Sequence, residues 1–153
     1  MILRPGYVTK EQMEAVLGEE VLVNHAILEK LKDGEVARSP GMKYKHYAPK
    51  ADVTILKGSF DAYRDYIAAH AGDGVWALCF DGEEALAFLS AGTYDGAVLG
   101  DGISEAHNLF TVLRELDRKG AKTVYARCPL SDGVSMAVYN RLIRAAAFRV
   151  VEV

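Results

Sequence analysis

The sequence predicts an α/β fold: a Rossmann-like three-layer domain with a five-stranded, mostly parallel sheet, preceded by an extended linker and a further N-terminal segment. Three observations predict it. From residue 51 onward, short continuous apolar runs alternate with segments of helical period. The runs are rich in β-branched residues, the pattern of strands covered on both faces. Strands that alternate with helices fold into right-handed βαβ units, and those build a parallel sheet.

The five runs are 53–56, 74–80, 96–99, 123–126 and 148–153. Between the first two, Ser59 opens a helix carrying Phe60, Tyr63, Tyr66 and Ile67, and Gly72 closes it. Gly82 and Glu83 lead into a short helix with Ala85, Leu86, Phe88 and Leu89. Ser104 opens the strongest one, with Ala106, Leu109, Phe110, Leu113 and Leu116 on one stripe and Gly120 at its end. The last helix carries Met136, Ala137, Leu142, Ile143 and Ala146.

Two zones precede this domain. Residues 1–33 form the first. Thr9 is the N-cap of a helix over 10–17, and Gly18 is its stop. Met13, Val16 and Leu17 share one apolar face, which a single short helix cannot bury alone. Residues 21–31 fit strand and helix periods alike, and a strand start is the preferred reading. Residues 34–50 form the second zone, a linker broken by Pro40-Gly41 and by Pro49, which drives Ala48 to an extended conformation. Its composition is unusual for a tether: Arg38, Lys43, Lys45, His46 and Lys50 surround Tyr44 and Tyr47. The α/β domain occupies 51–153.

Composition narrows the function classes. With 153 residues, half of them apolar and a quarter charged, the chain buries an adequate core without disulfides or metal. A net charge of -3 argues against a duplex nucleic-acid binder. Cys79 and Cys128 read as buried small hydrophobes, and the four His are too scattered for a metal motif. The N-terminus lacks the apolar core of a signal peptide, and no run is long enough to span a membrane. A cytoplasmic protein is expected.

Four features are candidates for chemistry. Asp81-Gly82 and Asp101-Gly102 follow strands, where open α/β sheets bind ligands, and Glu83 supplies a second acid near Asp81. Ordinary turn chemistry explains Asp-Gly equally simply and is preferred. Gly100 and Gly102 precede a helix as a phosphate cradle does, but Glu105 stands where the third glycine belongs and repels a pyrophosphate. Cys128 and His107 have nothing in sequence to bring them together as nucleophile and base. The cation-and-tyrosine linker is the most informative. Lysines there offer charge-assisted donors to phosphates, and the rings offer a stacking surface.

The run Ser39-Pro40-Gly41-Met42-Lys43-Tyr44-Lys45-His46-Tyr47-Ala48-Pro49 resembles the interdomain linker of two-domain L-threonylcarbamoyladenylate synthases of the Sua/YrdC/YciO family. Ile2-Leu3-Arg4-Pro5-Gly6 with 9–14 resembles the end of that family's N-terminal catalytic domain. Residues 133–142 resemble its Gly-x-Gly-x-Ala-x-x-Asn-Arg-Leu segment, with Ser135 in place of the second Gly.

The resemblance implies that residues 1–33 are the remnant of a YrdC-like catalytic domain and 51–153 a Sua-type domain. It implies a parent nucleotidyltransferase that condenses L-threonine, bicarbonate and ATP to threonylcarbamoyl-AMP and pyrophosphate, with a divalent metal such as Mg. The product serves threonylcarbamoyladenosine modification of tRNA, which this chain meets only indirectly. Lys43, Tyr44, Lys45, His46 and Tyr47 are implied as an ATP and substrate lid, and Arg4 as an edge of the ATP site. No catalytic residue, metal ligand or cofactor is expected within this chain, and its partner is the catalytic domain. An orphan strand at Ile2-Leu3-Arg4 is expected to leave the N-terminal segment loose, domain-swapped or paired in a dimer. Two other readings stay open: an autonomous small-ligand or nucleotide-binding module, and an interaction domain docking on a separate catalytic chain.

Overall fold

A computed structural model describes residues 1–31, 34–36, 49–80, 83, 95–98, 102–130 and 133–153, with only the backbone of 95–98 and 102–107. Its elements run α1 (Lys10–Leu17), β1 (Asp52–Lys57), α2 (Phe60–His70), β2 (Val75–Cys79), β3 (Asp95–Val98), α3 (Gly102–Arg118), β4 (Thr123–Arg127), α4 (Ser135–Ala145) and β5 (Val150–Glu152). The short helix expected around Ala85, Leu86, Phe88 and Leu89 lies outside the described residues.

The five strands form one sheet in the order β3-β2-β4-β1-β5, and each pairing is parallel. Successive side chains point to opposite faces, so each buried strand feeds two cores. On one face Val53 and Ile55 of β1, Trp76 and Leu78 of β2, and Val124 and Ala126 of β4 meet Leu109, Leu113 and Leu116 of α3 and Val138, Leu142 and Ile143 of α4. On the other face Leu56, Ala77 and Cys79 meet Tyr63 and Ile67 of α2. Each large apolar side chain buried this way contributes roughly 1.5–3 kcal/mol. The Tyr63 hydroxyl, dry in that layer, shares its one proton between the carbonyls of Leu78 at 3.1 Å and Tyr125 at 3.3 Å. A buried phenol needs such an acceptor.

Local signals set the helix ends. Ser59 caps α2 by accepting from the Ala62 N–H at 3.1 Å. Thr9 and Gln12 form a capping box on α1, and Gly18 ends it in a left-handed conformation, φ 69°, which glycine adopts without steric cost. α3 begins at Gly102, ahead of Ser104.

Residues 21–31 begin with one strand-like bridge and then turn, which settles the part left open. A single bridge joins Val23 to Ile2, and a 3-10 turn follows at His25–Ile27. The Asn24 side chain causes the change: its carbonyl oxygen accepts from the Ala26 N–H at 3.0 Å and bends the chain away from extension. The N-terminal segment is accordingly not a loose orphan strand. Ile2 donates to the Leu22 carbonyl at 2.6 Å and accepts from the Asn24 N–H at 3.0 Å. It packs with Val21, Ile27 and Met136 of α4 in a third cluster. Its backbone N–H and carbonyl both find partners inside the same chain.

Gly58 follows β1 where the C-terminus returns. A Cβ at this position would collide with the backbone carbonyl of Val153. Val153 is held there by donating to the Lys57 carbonyl at 2.9 Å. Gly58→Ala is therefore expected to destabilise the chain by about 1–3 kcal/mol, read as a lower urea midpoint.

Candidate functional site

The lid candidates Lys43, Tyr44, Lys45, His46 and Tyr47 lie outside the described residues, but both flanks of their segment are described. Downstream, one carboxylate oxygen of Asp117 accepts from the backbone N–H groups of Lys50 at 2.9 Å and Ala51 at 3.3 Å. Asp117 stands in the last turn of α3, so the chain enters β1 from a fixed point. Upstream, His25 Nε2 meets Glu35 Oε2 at 3.1 Å. The turn containing His25 is fixed to α4: Asn140 Nδ2 donates to the Ile27 carbonyl at 2.6 Å, and Arg144 donates to the Ala26 carbonyl at 3.0 Å. Ala26 and Ile27 are almost wholly buried. Burial pulls the Arg144 guanidinium down from its ordinary range. Since α3 and α4 cover the same face of the sheet, both flanks are tied to one side of the domain.

Arg4, the candidate edge of an ATP site, is exposed two residues past the buried Ile2. Nothing in the described residues brings another candidate group to it.

A second cluster lies at the carboxyl ends of the strands. Arg127, ending β4, meets Glu83 at 3.3 Å and donates to the Gly58 carbonyl at 2.8 Å. Its guanidinium lies over the rings of Phe60 and Tyr63, 5.9 and 5.5 Å from their centroids. The other Glu83 oxygen accepts from the Phe80 N–H at 3.2 Å. Glu83 thus joins β2 to β4 and is committed to structure, which weighs against a phosphatase-like acid pair. Asp81, Gly82, Gly100 and Asp101 lie outside the described residues, as does the side chain of His107.

Cys128 follows Arg127 and donates its N–H to the Leu56 carbonyl at 3.1 Å. Burial pushes its thiol up, against the weaker opposing pull of Lys57 and Arg127. A thiol held above its ordinary value of about 8.5 stays protonated near neutrality and makes a poor nucleophile. Alkylation of Cys128 by iodoacetamide at pH 7.5, followed by mass spectrometry, is expected to run at least about tenfold slower than that of free cysteine. Cys79 is wholly buried. Among the described residues no group of three or more His, Cys, Asp or Glu stands together to hold a metal ion.

Sequence reasoning missed Asp117 and Arg144, and singled out Asn140 only as part of the 133–142 motif, without a role. Their signal exists but is faint. Met136, Asn140 and Arg144 recur at every fourth position, one line down α4 beside the apolar face that meets the sheet. A line of one apolar and two polar residues looks like solvent-facing surface until a second segment is found against it.

Comparison with known proteins agrees with this architecture. The family model described as "Threonylcarbamoyl-AMP synthase, C-terminal domain" matches residues 8–147. The curated threonylcarbamoyl-AMP synthase of Pyrococcus abyssi (strain GE5 / Orsay) is 35% identical over 161 residues, across 100% of this chain and 44% of its own. The crystal structure of P. abyssi Sua5 complexed with L-threonine superposes with a TM-score of 0.75 at 34% identity, covering 99% of this chain and 43% of that one. A structure of the same P. abyssi protein with an adjacent His and Tyr replaced by alanine gives a TM-score of 0.73 at 33% identity, covering 99% of this chain and 42% of that one. The chain spans less than half the length of the curated relatives it matches. With most of its residues inside the family match, the chain belongs to the family of threonylcarbamoyl-AMP synthase C-terminal domains.

Proposed function

We propose that this chain is the lid and regulatory domain of an L-threonylcarbamoyladenylate synthase, working in the cytoplasm beside a YrdC-like catalytic domain. That domain binds L-threonine, bicarbonate and ATP with a divalent metal and releases threonylcarbamoyl-AMP and pyrophosphate for tRNA modification. The product is a mixed carbamic–phosphoric anhydride, which water destroys, so the synthase needs a cover that excludes solvent. Lys43 and Lys45 supply cations for the phosphates. Tyr44 and Tyr47 supply stacking faces for the base, His46 adds a titratable donor, and Arg4 stands at the rim of the ATP site. No metal is assigned to this chain. Residues 1–33 are read as the end of the catalytic domain, 34–50 as the linker and 51–153 as the anchoring domain.

The observation that carries the lid role is the tethering of both flanks, by Asp117 on one side and by the turn fixed to α4 on the other. A simple spacer between domains needs no such anchors. The tethers also limit reach. At about 3.4 Å per residue, the 37–48 segment extends about 40 Å, so no part of it stands more than about 20 Å from its nearer flank. A nucleotide touched by its side chains would bind within that distance plus one side-chain length. Two further observations support the reading. This chain contains one adjacent His-Tyr pair, His46-Tyr47, and the P. abyssi variant alters such a pair. Among the described residues no helix is long and apolar enough to cross a membrane. Measuring adenylate yield in the two-domain protein with Lys45→Ala and Tyr47→Ala tests the role.

A further inference from the structure

We propose that Asn140 and Arg144 are positioning residues that lock residues 24–29, and with them the upstream flank of the lid, onto the α/β domain. The inference rests on the lid reading for its purpose, but its geometry stands apart from it.

A 3-10 turn leaves its carbonyls without regular partners. Those of Ala26 and Ile27 are nearly dry, where an unpaired carbonyl is costly. Their donors come from α4, more than a hundred residues away in sequence: Asn140 Nδ2 at 2.6 Å and an Arg144 guanidinium nitrogen at 3.0 Å. A second guanidinium nitrogen of Arg144 donates to the Asn140 carbonyl at 3.1 Å, so the two residues brace each other. The same guanidinium lies over the Phe148 ring, 5.9 Å from its centroid. Phe148 itself holds a left-handed backbone, φ 62°, directly after Ala147 at φ 50°. Non-glycine residues keep that conformation only where their surroundings impose it. Met136, one turn before Asn140, adds the apolar contact with Ile2, Val21 and Ile27.

Among the described contacts, these donors and one small apolar cluster join the upstream flank to α4, whereas β1 beyond the downstream flank is built into the sheet. Loss of the donors should therefore release residues 24–29 without unfolding the domain. Amide hydrogen exchange on this chain reads it directly. The amides of Ile27, Leu28 and Glu29, which bond to the Asn24 and His25 carbonyls, report on the turn. Asn140→Leu and Arg144→Met keep side-chain bulk and remove the donors. Each is expected to speed exchange at these three amides about tenfold or more, while the amides of β1 and β4 keep their rates. Arg144→Lys, which restores a cationic donor, should recover part of the protection. Unchanged exchange in both donor-less variants would overturn the proposal, as would equal acceleration throughout the sheet, since that reports general destabilisation. Failure of the lid reading shows elsewhere, in the adenylate yield of variants that leave α4 intact.

Discussion

Arg127→Ala is expected to destabilise the chain by about 3 kcal/mol, the low end of the cost of stripping one partner from a buried ion pair. The magnitude follows from what the guanidinium holds. Its side chain is 14% exposed and that of Glu83 is 21% exposed. It binds the Glu83 carboxylate after β2, the Gly58 carbonyl after β1, and the rings of Phe60 and Tyr63 in α2. Removing it leaves the Glu83 carboxylate in a partly dry site without its cation, and leaves the Gly58 carbonyl without that donor. The remaining Phe80 N–H bond to Glu83 tempers the loss. Urea unfolding should show a lower midpoint with an unchanged slope, because the folded state weakens while its buried area hardly alters. Glu83→Gln keeps an acceptor near Arg127 and should cost about 1 kcal/mol. Adding Glu83→Gln to Arg127→Ala should be less damaging than the sum of the two, since the stranded charge is gone. A loss below about 0.5 kcal/mol for Arg127→Ala would show that the pair behaves as a surface contact.

That pair also marks the limit of sequence reading for this fold. The strands and three of the helices of the α/β domain were legible because each rests on a local period: apolar β-branched runs at Val53, Ile55 and Leu56, and the stripe of Leu109, Leu113 and Leu116. Strand order is not local. β4 lies between β2 and β1, and only that order brings Arg127 beside both Glu83 and Gly58. Read in isolation, Glu83 looked like a partner for Asp81. The N-terminal segment illustrates the same limit. Ile2-Leu3-Arg4 reads as a strand without a sheet, yet one bridge to Val23 and the side of α4 bury Ile2. The face of α1 was read more closely. Met13 packs against the third cluster, while Val16 and Leu17 remain 86% and 60% exposed, as a short helix without further cover requires. Of the candidate site, motif resemblance supplied the proposed lid residues. Asn140 stood in the 133–142 motif, but its anchoring role, like that of Asp117 and Arg144, became visible only once α3 and α4 shared one face of the sheet.

Lys45→Ala and Tyr47→Ala, made in the full two-domain synthase, are each expected to lower the recovered threonylcarbamoyl-adenylate by about 10- to 100-fold. One charge-assisted hydrogen bond to a phosphate is worth roughly 1.5–3 kcal/mol, and one ring stacked on a base roughly 1–3 kcal/mol. Each 1.36 kcal/mol is a tenfold change in rate. The yield alone does not distinguish a lid from a binding residue, so pyrophosphate release must be measured beside it. A residue that only binds ATP lowers both quantities together. A lid that excludes water lowers the adenylate more than the pyrophosphate, because anhydride still forms and is then hydrolysed. The ratio of pyrophosphate to adenylate should therefore rise in both variants, and the lifetime of added adenylate on the enzyme should fall. Variants that leave the ratio and the lifetime unchanged would remove the reason for tethering the segment at both flanks, and the chain's role would have to be sought in the α/β domain itself.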